Sequence, residues 1–180
     1  MPPFDPSVHH RRSIRLKDYD YSQAGAYFVT INTYELQHIF GEVGPDGVTL
    51  NELGMIVAEC WEEIPAHYSA VELDAFVVMP NHVHGIIVIN DVGAIAQWAT
   101  HASPVQTEGV RGPKPSSIGA IVGQFKSATS RKINATRHTN IPPVWHRNFY
   151  ERVIRGDREH SSNWDYIVGN PGRWIEQRPG

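Results

Sequence analysis

The chain has 180 residues, 41% of them hydrophobic and 19% charged, and a formal net charge of −3 at pH 7. That length suits one domain whose core needs no covalent staple, and the single cysteine, Cys60, excludes a disulfide framework and a multi-cysteine zinc site. No run approaches the ~18 uncharged apolar residues of a membrane span, and the first residues lack a signal-like apolar core. No membrane partner is therefore expected, and the cytoplasm is the expected compartment.

In chain order, residues 1–20 read as a flexible basic arm in which Arg11, Arg12, Arg15 and Lys17 follow His9 and His10. Gly25 to Tyr34, rich in β-branched and aromatic residues, predicts a strand. Phe40 to Leu50 holds Gly-Pro-Asp-Gly between short apolar pieces and predicts a small hairpin. From Asn51 the spacing turns helical, with Leu53, Ile56, Val57, Cys60, Trp61 and Ile64 on the buried face and Pro65 and His67 near the end. In that setting Cys60 reads as a small buried hydrophobe. Val71 to Met79 predicts a second strand, and Pro80-Asn81 a tight link into a third, His82 to Ile89. That third strand is apolar on both faces, so a central place in the sheet is expected.

Residues 91–115 show no periodicity and predict a long mobile loop. A helix then starts at Ser116 or Ser117, with Ile118, Ile121, Val122, Phe125 and Ile133 inward and Lys126, Arg131 and Lys132 off the stripe. Val144 to Arg155 predicts a fourth strand. Asp157 to Asn170 predicts a final helix with Trp164, Ile167 and Val168 on its packed side, stopped by Pro171. The core of this order, β-α-β-β-α-β, is the split ferredoxin-like (RRM-like) α+β pattern. It gives an antiparallel sheet with helices packed on one face, plus the C-terminal helix. The fold alone does not choose a function.

Charge is segregated along the chain. Residues 18–110 hold 13 acids and no Lys or Arg, whereas residues 111–158 hold ten Lys and Arg against two acids, a net +8. Such asymmetry favours a polyanion-binding surface over a merely solvated face. Within the two basic regions Arg11, Arg12, Arg15, Lys17, Lys126, Arg147 and Arg155 are the candidate phosphate contacts. Arg147 and Arg155 read equally well as partners of acids.

The chemistry concentrates in Met79-Pro80-Asn81-His82-Val83-His84. Side chains on a strand alternate, so His82 and His84 share one face, about 6–7 Å apart along the chain. They can hold one divalent metal. Otherwise one imidazole ends a strand and the other is a hydrogen-bonded core residue. In the final helix Tyr166 and Asn170 are i and i+4 and share a face. Each has a plain structural reading, a half-buried ring and a helix C-cap. Joined to the paired histidines, they suggest an amide oxygen for the metal and a phenol beside a bound substrate. A divalent ion neutralises a phosphodiester for in-line displacement, and a tyrosine oxygen can conserve the broken bond as a phosphotyrosine.

Several motifs in order carry a family resemblance: Arg12-Ser13-Ile14-Arg15-Leu16 with Tyr19-Asp20-Tyr21; Tyr27-Phe28-Val29-Thr30; Met79 to His84; Phe125-Lys126-Ser127; Trp145 to Arg155; and Tyr166-Ile167-Val168-Gly169-Asn170-Pro171. With them the chain resembles the REP-associated tyrosine transposases, within the insertion-sequence-200-like HUH single-strand transposases. The resemblance implies that residues 21–180 form one catalytic domain. It implies His82 and His84 as metal ligands, Asn170 as the third ligand, Tyr166 as nucleophile and Mg²⁺ or Mn²⁺ as the ion. No small-molecule cofactor is implied. The implied partner is single-stranded DNA folded into hairpins (REP-like repeats), cut to leave a 5′-phosphotyrosine and a free 3′-hydroxyl and then rejoined. Relatives include dimers that exchange catalytic helices and also monomers, so a homodimer stays open. His146 stands where such sequences often have Gln, and Arg152 where His is common.

Two other readings compete. A metal-dependent phosphodiesterase or nuclease would use the same histidines with water as nucleophile. A non-catalytic nucleic-acid-binding module would use the sheet alone, but its aromatic and basic ribonucleoprotein motif is missing. Tyr150 is the rival nucleophile; its position on a predicted strand with no ligand four residues on favours packing, as for Trp145.

Overall fold

The computed structural model describes residues 19–91 and 114–176. The basic arm with Arg11, Arg12, Arg15 and Lys17, and nearly all of the predicted loop at 91–115, lie outside the described residues. Strand β1 (Gly25–Asn32) leads through a 3-10 turn at Tyr34–Leu36 to a two-stranded hairpin, β2 (Gly41–Gly44) and β3 (Gly47–Leu50). Helix α1 (Glu52–Glu62) starts at Asn51, whose side-chain oxygen accepts from the Gly54 N–H at 3.0 Å and satisfies one of the donors a helix start leaves open. The predicted helix runs past this point in the sequence pattern, but Pro65 splits it. A short α2 (Ile64–His67) follows, with the proline in its first turn.

Strands β4 (Val71–Met79) and β5 (His82–Ile89) match their predicted ranges. After α3 (Ile118–Thr136), capped by Ser117, come β6 (Tyr150–Ile154), α4 (Asp157–Val168) and α5 (Asn170–Glu176). The main sheet has the order β4-β5-β1-β6, antiparallel throughout, so β5 is central as expected. This is the ferredoxin-like arrangement.

Alternation along β1 and β5 divides two cores. Tyr27, Val29 and Ile31 with Val83, Ile87 and Ile89 face α1 and α3, where Val57, Cys60, Trp61, Ile121, Val122 and Phe125 complete the larger core. Gly85 lies on this face because Trp61 fills the space of its missing side chain: a Cβ there would stand 2.2 Å from Cζ2 of the indole. Burial pushes the Cys60 thiol up from its ordinary pKa, which suits an inert core residue. The opposite face carries Phe28 and Ile86, and α4 lies on it through Ile167. The two core helices α1 and α3 thus share one face as expected, and the C-terminal α4 lies over the side they leave open.

Three further expectations change. The strand predicted from Val144 to Arg155 is regular only over Tyr150–Ile154. Trp145 makes an isolated bridge to Thr33, and the carbonyls of His146 and Arg147 accept from the Lys126 ammonium at 2.7 and 3.0 Å instead. The final helix is not stopped by Pro171. It breaks at Gly169 and restarts as α5, since proline lacks the N–H that would bond the Ile167 carbonyl yet fits a first helical turn. Of the predicted packed side of α4 only Ile167 is buried; Trp164 and Val168 are 43% and 55% exposed.

Candidate functional site

β5 puts His82 and His84 on the sheet face opposite the larger core, and register sets their neighbours. His84 lies across from Thr30 of β1 and His82 across from Asn32. The two imidazole centroids are 4.4 Å apart. Each ring is fixed through Nδ1: that of His84 meets Thr30 Oγ1 at 2.8 Å, and that of His82 meets Asn81 Oδ1 at 2.6 Å. The Asn81 amide nitrogen donates the other way, to the Leu36 carbonyl at 3.3 Å, which leaves its oxygen for the ring. An Nδ1–H donated to that oxygen leaves the His82 Nε2 lone pair unprotonated. Nε2 is buried and finds no hydrogen-bond partner within 3.5 Å among the described residues.

Burial drives both imidazoles toward the neutral form. It holds His82 at about 4, with the Asn170 side chain opposing the shift and His38 adding to it, and His84 at about 3, with His82 adding to the effect. Neutral imidazole is the form that ligates a metal.

The last helical pair closes the site. Tyr166 of α4 lies with its ring centroid 5.1 Å from that of His84 and 6.0 Å from that of Phe28. It is 40% exposed. Asn170 is buried beside His82. Thr30, Asn32, His82, His84, Tyr166, Asn170, Arg173 and Trp174 together line a cleft of about 210 Å³. The tyrosine enters it from the same chain as the histidines.

All four of the sequence-predicted residues His82, His84, Tyr166 and Asn170 thus meet in one place. Among the described residues no group of three or more His, Cys, Asp or Glu side chains could hold a metal. The rival Tyr150 is 38% exposed and lies on the same sheet face, paired with Thr30. It lines a separate cleft with Glu151, Arg152 and Arg155 and not the one holding the histidines. Trp145 is buried and donates its indole N–H to Thr129 at 2.8 Å, which makes it a packing residue. Of the predicted DNA contacts, Arg147 and Arg155 are exposed, while Lys126 uses two of its three N–H donors on backbone carbonyls. Sequence reasoning missed Thr30, Asn81, His38, Arg173 and Trp174. His38 and His82 flank the Trp174 ring, at centroid distances of 5.4 and 5.7 Å.

No family model matches the chain. An uncharacterized protein of Haemophilus influenzae is 38% identical over 179 residues, spanning 97% of this chain and 96% of that one. The structure of a REP-associated tyrosine transposase bound to a REP hairpin is similar at a TM-score of 0.59 and 16% identity, covering 92% of this chain and 78% of the other. A protein of Deinococcus radiodurans assigned as a transposase is 15% identical at a TM-score of 0.47, over 91% of this chain and 96% of the other. The chain therefore belongs to one family with the Haemophilus influenzae protein and has the fold of the REP-associated tyrosine transposase.

Proposed function

We propose that this chain is a transposase-like DNA strand transferase that binds hairpin-forming single-stranded DNA and cuts and rejoins it through a 5′-phosphotyrosine on Tyr166. The observation that carries the reading is the convergence of His82, His84, Asn170 and Tyr166 on one cleft. The orphaned, buried Nε2 of His82 and the two neutral imidazoles, each held through Nδ1, suit a divalent cation. His82, His84 and Asn170 would hold it, as Mg²⁺ or Mn²⁺. When bound, the ion supplies positive charge that neutralises the phosphodiester and orients it for in-line attack.

Tyr166 supplies the nucleophile. Its Oη forms a bond to phosphorus as its proton passes to solvent. The bond from phosphorus to the 3′-oxygen breaks, and that oxygen takes a proton to become the 3′-hydroxyl. Reversal by a 3′-hydroxyl rejoins the strand, because the phosphotyrosine conserves the bond. The like fold of a transposase bound to a REP hairpin supports a DNA hairpin as the substrate. Arg147 and Arg155, with Arg11, Arg12, Arg15 and Lys17 of the arm, are the proposed phosphate contacts, and Lys126 in addition anchors the loop before β6.

The test is a denaturing gel of 3′-labelled and 5′-labelled hairpin DNA incubated with Mn²⁺ or Mg²⁺. The parent protein should retain the downstream segment covalently through its 5′ end. Tyr166→Phe, which keeps the ring packed on His84 and Phe28, should form neither adduct nor strand break. An adduct in the Phe variant would move the nucleophile to Tyr150. Strand breaks without any adduct in the parent would make the chain a nuclease that activates water.

A further inference from the structure

Two side chains of α5, Arg173 and Trp174, complete the lining of the cleft. The guanidinium of Arg173 is placed by two contacts and one close approach of bare backbone. Its Cζ stands 5.1 Å from the centroid of the Tyr166 ring. Its Nη1 donates to the Tyr166 carbonyl at 3.2 Å. Bare backbone at Gly169 lies close to it: a Cβ there would stand 3.7 Å from both Cζ and Nη2. One arm of the fork is thus tied to the element that carries the nucleophile.

Charge separates Arg173 from the rest of the lining. Among the described lining residues Thr30, Asn32, Asn170 and Trp174 carry none, and no carboxylate is present. A guanidinium stays protonated at any working pH and offers five donors in a rigid plane that matches phosphate oxygens. A phosphodiester gains negative charge on its non-bridging oxygens as an attacking oxygen approaches, and a donor fixed beforehand acts most strongly at that moment.

We propose that Arg173 is a catalytic residue of strand cleavage, donating to a non-bridging oxygen of the scissile phosphate while Tyr166 attacks. The assignment rests on the phosphotyrosine reading given above. In the step, the bond from Tyr166 Oη to phosphorus forms and the bond from phosphorus to the 3′-oxygen breaks. The electron pair stays on the 3′-oxygen, which takes a proton from solvent, and the phenol proton goes to solvent. Arg173 donates hydrogen bonds only and transfers no proton. Its stacking on the Tyr166 ring sets nucleophile and phosphate donor in one relative position, so both reach the same phosphorus together.

The test compares the parent, Arg173→Ala and Arg173→Lys by the first-order rate of adduct formation at saturating hairpin DNA with Mn²⁺. Mn²⁺ affinity is measured alongside without DNA. Loss of one preorganised donor predicts a rate about 10²–10³-fold lower in Arg173→Ala, a partial recovery in Arg173→Lys, and unchanged Mn²⁺ affinity in both. A rate in Arg173→Ala within threefold of the parent overturns the inference and leaves the phosphotyrosine reading standing. Equal loss of rate and of Mn²⁺ affinity, with no recovery in the lysine variant, also overturns it, since Arg173 would then only hold α5 in place. A parent that forms no adduct removes the phosphotyrosine reading and this assignment together.

Discussion

Replacing Asn81 with Ala tests whether the turn before β5 tunes the metal site. Asn81 is 8% exposed and makes two separable sets of contacts. Its backbone carbonyl accepts from the Thr33 N–H at 2.9 Å and from Thr33 Oγ1 at 3.0 Å, and both bonds survive the substitution. Its side-chain oxygen, 2.6 Å from His82 Nδ1, is lost. A largely buried ring N–H left without its acceptor costs about 1–3 kcal/mol. The loss also frees the tautomer that presents Nε2, and such outer partners of a ligating histidine are typically worth about 10–100-fold in metal affinity, or roughly 1.4–2.7 kcal/mol. Calorimetric titration with Mn²⁺ should therefore show a Kd raised about 10–100-fold, while urea denaturation of the metal-free protein shows stability lowered by about 1–3 kcal/mol. Stability falling in this range while Mn²⁺ affinity stays within twofold of the parent would refute the reasoning, because His82 Nε2 would then not be a ligand.

Two other outcomes are expected. Both site imidazoles are held below the ordinary 6.5, His82 at about 4 and His84 at about 3. The unfolded chain therefore takes up these protons first, and the folded state loses stability as pH falls from 6.5 toward those values, with no contribution above 6.5. Urea midpoints of the metal-free protein between pH 7.5 and 4 should fall steeply in the parent and less steeply in a His82→Ala, His84→Ala double variant; parallel curves would contradict the burial argument. Asp20, whose carboxyl is held at about 2 chiefly by its hydrogen bond from Lys114, also begins to lose its contribution below about pH 5, but equally in both proteins, so the comparison cancels it. At Gly85, a methyl group 2.2 Å from the Trp61 ring overpacks the larger core. Gly85→Ala should cost about 1–3 kcal/mol and lower Tm by roughly 2–12 °C, and an unchanged Tm would show that Trp61 can move aside.

The sequence made the site's centre legible because both of its motifs are local. Alternation is enough to put His82 and His84 on one face, and the i, i+4 spacing of Tyr166 and Asn170 points to one cleft even though the helix breaks between them at Gly169. What escaped depends on register or on a helix break. Thr30 has no motif of its own; it matters because β1 pairs with β5 so that Thr30 faces His84. Asn81 reads as a turn residue, and its second role as the partner of His82 appears only once the turn is built. Arg173 and Trp174 lie beyond Pro171, which local rules treat as a stop; here Gly169 and Asn170 let the chain bend and continue across the cleft. The fourth strand was overextended for a related reason: Val144 and Trp145 are apolar because they enter the core, not because they continue β6.

Placing the site on the second face of the sheet separates it from most of the folding energy. The larger core packs Trp61, Phe125, Trp145 and their neighbours between the sheet and α1 and α3. On the side carrying α4, the smaller apolar cluster buries Phe28, Ile86 and Ile167. Burying Ile167 contributes about 1.5–3 kcal/mol. The Arg152–Glu159 ion pair and the His160–Asp74 hydrogen bond, each at 2.6 Å, are partly exposed, and the ion pair is worth about 0–1 kcal/mol. The helix bearing Tyr166 is thus held by a few kcal/mol on a platform that does not depend on it. Substitutions at Tyr166 or Arg173 should therefore change chemistry without unfolding the chain, whereas Ile167→Ala should leave the larger core intact and release α4. Its expected signature is a loss of adduct formation larger than its fall in Tm explains. Near-parent adduct formation in that variant would mean that Ile167 is not what fixes the nucleophile over His84.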